Sequence, residues 1–142
     1  MTANTKIVEK WIDILNRKAV DEIGTVFHDD GYVIYGAGDI GTAHGPEAIG
    51  KLLSTFFEAF PDLHSTIEEV YEVEGGRAVG RFLTRGTHTG EIMGIAPTGR
   101  TIAISGVAIF HVVDGKVEHE WNIDDLFGLL QQIGVLPMSG RR

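Results

Sequence analysis

The 142-residue chain contains no cysteine. That absence removes disulfides, thiol nucleophiles and cysteine-ligated metal sites in one step. Basic residues are few: 12 Lys and Arg stand against 20 Asp and Glu, for a net charge of −8. A chain so acidic does not fit a nucleic-acid binder, or a protein held to anionic lipid by charge, since such proteins carry a basic face. Its one basic cluster is the Arg141–Arg142 pair, which reads as a loose tail. No apolar run approaches the roughly 20 residues that span a bilayer. The opening MTANTKIVEKWIDIL is amphipathic and interrupted by charge, unlike a signal segment. Histidines stand at 28, 44, 64, 88, 111 and 119, yet none forms a close His-x-His or His-x-x-x-His pair, so no metal is expected. These absences lead to an expectation of a cytoplasmic protein with no metal, no nucleic-acid partner and no membrane partner.

What is present fits one domain, residues 1–137, with 138–142 as a C-terminal tail; the length is enough to bury a real core. Ile7, Trp11 and Leu15 recur every four residues and predict an amphipathic first helix, capped by Asn4 or Thr5. A shorter helical stretch, Val20 to Phe27, precedes a turn at His28-Asp29-Asp30-Gly31 and a short strand, Tyr32 to Tyr35. Gly36 to Gly45 reads as a loop. The strongest helix signal starts at Gly45-Pro46-Glu47, carries an apolar stripe from Ile49 to Phe60, and stops at Pro61. Four strands follow, about Leu63–Glu74, Arg77–Thr89, Arg100–Val113 and Lys116–Ile123. Gly75-Gly76 and Asp114-Gly115 are two-residue hairpin signals between them. A last helix is expected from about Asp125 to Gln132. Helices first and antiparallel strands later make the class α+β, with a curved, mostly antiparallel sheet wrapped around the long helix as a cone open at one end. Such cones commonly hold small molecules.

Several phrases are similar to the SnoaL-like polyketide cyclase family, within the cone-shaped, cystatin-like α+β barrel of nuclear transport factor 2 and ketosteroid isomerase. They are GPEAI at Gly45–Ile49, AFPDLH at Ala59–His64, RGTHTGEIMGIAPTGR at Arg85–Arg100, IFHVVDGKVEHEW at Ile109–Trp121, and DLFGLLQQIGVLP at Asp125–Pro137. The resemblance implies a cofactor-independent enzyme that closes a ring by an intramolecular aldol or related proton transfer on a hydrophobic carbonyl compound. It also implies a homodimer or higher homo-oligomer. In the family's cyclases an aspartate just after the last-strand tryptophan is the general acid/base. Aligned through Trp121 and the Gly128-Leu129-Leu130 helix, that residue is Asp125, and His111 matches a position that can carry a pocket histidine. One departure is the order Glu118-His119-Glu120-Trp121, where members often read Glu-His-Trp.

Side chains alternate along a strand, so His119, Trp121, Ile123 and Asp125 share one face. A carboxylate among an indole and an isoleucine is either a helix cap or an acid whose pKa burial has raised. With two aspartates available, Asp124 is expected to cap the last helix and Asp125 to enter the pocket. His111 is the expected supporting group, with Trp121, His119, Tyr35 and His88 as candidate substrate contacts. Each has a plainer role open to it: core packing for His111 and Tyr35, backbone satisfaction near a loop for His88. A silent binding or dimerisation module, and an epoxide hydrolase or isomerase of the same fold, are the alternative functions.

Overall fold

Helix α1 (Ala3–Arg17) buries Trp11, Val8, Ile12 and Ile14, with Ile7 and Leu15 of the expected stripe partly buried beside them. This computed structural model describes residues 3–36 and 40–138. Asn4 and Thr5 fall inside α1 and do not precede it. The Arg141–Arg142 tail and part of the expected 36–45 loop lie outside the described residues. The short helical stretch expected next is a 3-10 helix, Val20–Thr25, two residues shorter than expected, and it leads into strand β1 (Phe27–Tyr35). The expected turn at His28–Gly31 is instead an irregular part of β1, which loses register with its neighbour between Phe27 and Tyr32. Strand β2 (Gly41–His44) occupies the end of the expected loop and pairs antiparallel with β1.

Helix α2 (Gly45–Ala59) begins with Pro46 in its first turn, where a missing N–H costs nothing. Strands β3 (His64–Val73), β4 (Arg77–Thr87), β5 (Thr101–Val113) and β6 (Lys116–Asp124) follow, and the short helix α3 (Leu126–Gln132) closes the described fold. The sheet order is β2-β1-β6-β5-β4-β3; β1 lies parallel to β6 and every other neighbouring pair is antiparallel. Both hairpin turns have the left-handed backbone that their residues favour, with positive φ at Gly75, Gly76, Asp114 and Gly115.

The curved sheet turns one face towards α1 and α2. Ile102, Ile104, Ala108, Phe110 and Val112 of β5 lie on that concave face and are buried, so this chain's own helices and core cover them. Trp11 meets Phe27 edge-on at 4.8 Å between ring centroids. Side-chain amides lock the helix ends to strands. Asn16 of α1 donates to the Ser65 carbonyl at 2.9 Å and accepts from the Ser65 N–H at 2.8 Å. Gln132 of α3 makes the same paired contact with the backbone of Ala103.

The irregularity that matters most for function is in β6. Val112 pairs with Val117, but the next pair is His111 with His119, so Glu118 is an extra residue on β6. A bulge of this kind inverts the facing of everything beyond it. Val117 points into the core, as alternation from the hairpin predicts; past the bulge, Glu120 is the buried residue and His119 is not.

Candidate active site

Between the two apolar clusters, on the concave side, lies a cavity of about 130 Å³. Trp11 and Leu15 of α1 and Leu53 and Phe57 of α2 form its helical wall, and Phe82 and Phe110 contribute from the sheet. Among the described residues lining it there is no lysine, arginine or histidine. Three of its polar groups come from β6: Glu120, Asn122 and Asp124 all face inward, joined by Tyr35 of β1. Asn16, Ser65 and Thr84 also reach the wall. They are engaged with one another: Asn16 with the Ser65 backbone, and the Ser65 hydroxyl with that of Thr84 at 2.7 Å.

The three β6 groups form a gradient of depth. Glu120 is only 3% exposed, Asn122 is half-buried, and Asp124 is exposed as a residue at the rim but turns its carboxyl inward, out of full contact with water. Burial pushes the Glu120 carboxyl up to about 8; the Asn122 amide opposes that rise, while the negative charge of Asp124 adds to it. The Asn122 Nδ2 donates to Glu120 Oε2 at 3.2 Å. Glu120 Oε1 and Asn122 Oδ1 are buried with no hydrogen-bond partner. Asp124 faces Gly106 across the β5–β6 ladder, and a Cβ at Gly106 would overlap its carboxylate. The missing side chain thus gives the Asp124 carboxyl room to lie over the neighbouring strand, where burial raises its pKa to about 6. Burial, reinforced by Glu120 and Asp124, raises the Tyr35 phenol, so it keeps its proton.

The two aspartates have exchanged the places expected of them. Asp125 is the N-cap of α3: its Oδ1 accepts from the Gly128 N–H at 2.8 Å, and it does not line the cavity. Asp124 does. His119 and Trp121 lie on the opposite, convex face, because the Glu118 bulge reverses the parity counted from Val117. His111 is on that convex face too, edge-on to His119 at 5.0 Å, and His119 stacks on Tyr32 at 5.3 Å. Burial and the neighbouring His111 lower the pKa of His119. His88 is fully buried but outside the cavity: its Nδ1 lies 2.9 Å from the Thr98 hydroxyl and its ring packs on Phe60. Of the six expected site residues, only Tyr35 is a wall residue of the cavity. Sequence alone does not place Glu120, Asn122 and Asp124 in the cavity, although their polar i, i+2, i+4 pattern, alternating with Trp121 and Ile123, is visible in the chain.

No cluster of three or more metal-binding side chains occurs among the described residues, and no helix there is long and apolar enough to cross a membrane.

A cone-shaped α+β fold with acids projecting into an apolar hollow defines a class of small-molecule proteins. The family model of SnoaL-like polyketide cyclases matches residues 5–133, and the chain belongs to that family. It is 27% identical to the aklanonic acid methyl ester cyclase AcmA of Streptomyces galilaeus, over 94% of this chain and 92% of that protein. It is 28% identical to the nogalonic acid methyl ester cyclase of Streptomyces nogalater, over 87% and 91% of the two chains. Among solved structures it resembles AclR of S. galilaeus, described as a candidate hydroxylase, with a TM-score of 0.83, 25% identity, and coverage of 97% of this chain and 85% of that one. Relatives of one fold therefore carry different reaction names, and the reaction must be argued from the site.

Proposed function

We propose that the protein is a cofactor-independent cytoplasmic cyclase that closes a ring in a hydrophobic, polyketide-like carbonyl compound, with Asp124 as the general acid/base. The supporting observation is the placement of Asp124 at the mouth of an apolar cavity, over Gly106, with its carboxyl tuned towards neutrality. Near neutral pH it is largely ionised and can take a proton from the carbon beside a carbonyl. The enolate carbon then attacks a second carbonyl carbon of the same molecule. A carbon–carbon bond forms, the electron pair of that C=O moves onto its oxygen, and Asp124 returns the proton there to leave a hydroxyl. No oxidant or cofactor enters this balance.

Such acid/base assistance is typically worth about 10²–10⁴ in rate. The test is turnover of aklanonic acid methyl ester, the compound for which relatives are named, by wild type and Asp124→Asn. Ring closure by the wild type, with a loss of that order in the variant, supports the reading. Equal rates in the two proteins would remove Asp124 from the chemistry, and inertness of the wild type towards the ester would remove this substrate.

Self-association is part of the same reading. The convex face carries one apolar row in register across five strands, Ile34, Trp121, Ile109, Val79 and Tyr71. Trp121 is 38% exposed and Tyr71 58%. A second copy of the chain would cover it.

A further inference from the structure

We propose that Glu120 and Asn122 form a hydroxyl-recognising subsite at the closed end of the cavity, which takes one hydroxyl-bearing ring of an uncharged substrate. The subsite deepens the cyclase reading and rests on the same cavity. It is built from two side chains whose second oxygens make no hydrogen bond of ordinary geometry: Glu120 Oε1 and Asn122 Oδ1 are both buried and unpartnered in that sense, while the other half of each group is tied to its neighbour by the Asn122–Glu120 contact, and the Trp11 indole lies near enough to the Glu120 carboxyl to oppose the rise in its pKa. Buried polar atoms left in this state are rare and call for an explanation. A hydroxyl supplies what both lack. It can accept from a protonated Glu120 Oε1 and donate to Asn122 Oδ1, since an alcohol or phenol is donor and acceptor at once.

The surroundings select against charge. The ionisable groups that face Glu120 are Asp124 on its own strand and Tyr35 on β1. Its ladder neighbours Val33 and Phe110 are apolar, α1 presents the Trp11 indole, and no described cation lines the cavity. An anionic substrate end would meet two carboxyls and no counter-charge, so the end that enters is neutral. Burial supports this by keeping Glu120 protonated up to about pH 8.

Size sets the rest. A cavity of about 130 Å³ is close to the roughly 150 Å³ hollow that holds one benzene ring. Glu120 and Asp124 are four residues apart on a strand, roughly 13 Å along it. One ring therefore fills the closed end, and the reacting carbonyl chain lies outward, at Asp124. Glu120 and Asn122 act here as specificity and positioning residues: they fix which end enters first and hence which carbon Asp124 meets.

The experiment uses three single-ring probes, phenol, toluene and benzoate, titrated into the full-length protein by ligand-observed and protein-observed NMR. Phenol is expected to bind more tightly than toluene, its equal in size, and benzoate least. The phenol-to-toluene ratio should fall about ten-fold, the worth of one well-made buried hydrogen bond, in Glu120→Leu and in Asn122→Leu. Glu120→Gln retains a donor and should keep the preference. Raising the pH through about 8 turns Glu120 from a donor into an acceptor, so the phenol-to-toluene ratio should shift with pH in wild type and stay constant in Glu120→Gln. Phenol's own ionisation, near pH ~10, lies above that window. Toluene binding as tightly as phenol, a ratio unmoved by Glu120→Leu, or no saturable binding of any probe overturns the subsite. Phenol has no carbonyl to cyclise, so this result is independent of the turnover test of Asp124, and either proposal can fail alone.

Discussion

At the scale of single residues, two adjacent aspartates are placed differently because one lies in the strand and the other caps the helix. Asp125 gives up an oxygen to the Gly128 N–H, whereas Asp124 is the last strand residue and faces the cavity. Asp125→Ala should cost about 1 kcal/mol of stability, the usual worth of such a cap, with turnover at saturating substrate nearly unchanged; denaturant unfolding measures the first and steady-state kinetics the second. Gly106→Ala would force the Asp124 carboxylate off its position without removing it. We expect a fall in kcat larger than any fall in stability, read from the same pair of measurements. The pH–rate profile should rise through about pH 6, since the base must be ionised to act and burial has raised Asp124 to that value.

At the scale of elements, periodicity carries most of the fold and one inserted residue hides which β6 side chains face the cavity. The stripe from Ile49 to Phe60, the Gly75-Gly76 and Asp114-Gly115 turns, and the four long strands are readable because burial imposes a fixed repeat and tight turns demand positive φ. The same logic fails in β6. Counting by twos from Val117 puts His119, Trp121 and Ile123 inside, and the apolar character of Trp121 and Ile123 agrees with that count. Glu118 breaks it: with one extra residue in the ladder, Glu120, Asn122 and Asp124 turn inward. The sign in the sequence is the extra residue in Glu118-His119-Glu120-Trp121 relative to the family's shorter phrase, but its location within the strand depends on pairing with β5, a tertiary fact. Strand β2 was hidden for a related reason, since its four residues gain strand geometry from pairing with β1 and not from any preference of their own.

At the scale of the molecule, a buried acid makes folding depend on pH. The native state holds the Glu120 proton up to about pH 8, whereas the unfolded chain releases it near the ordinary value of 4.5. Native protein thus binds more protons between those values, and stability must fall as pH rises through them, levelling off above about 8. Asp124 adds to the fall between 3.8 and about 6. In thermal unfolding, Glu120→Gln should flatten the decline relative to wild type, by an amount on the order of a few kcal/mol across the window. A wild-type curve as flat as that of the variant would mean that Glu120 is ionised in the folded protein. The convex apolar row makes a second whole-molecule prediction. Trp121→Glu should convert an associated species to monomer in sedimentation while the cavity, on the other face of the sheet, keeps its ligand affinity.

The most direct test of which β6 residues face the chemistry is a side-by-side single-turnover comparison of Asp124→Asn and Asp125→Asn with aklanonic acid methyl ester. The expected result is a loss of about 10²–10⁴ in the first protein and near wild-type conversion in the second. Full activity in Asp124→Asn together with collapse in Asp125→Asn would contradict the account.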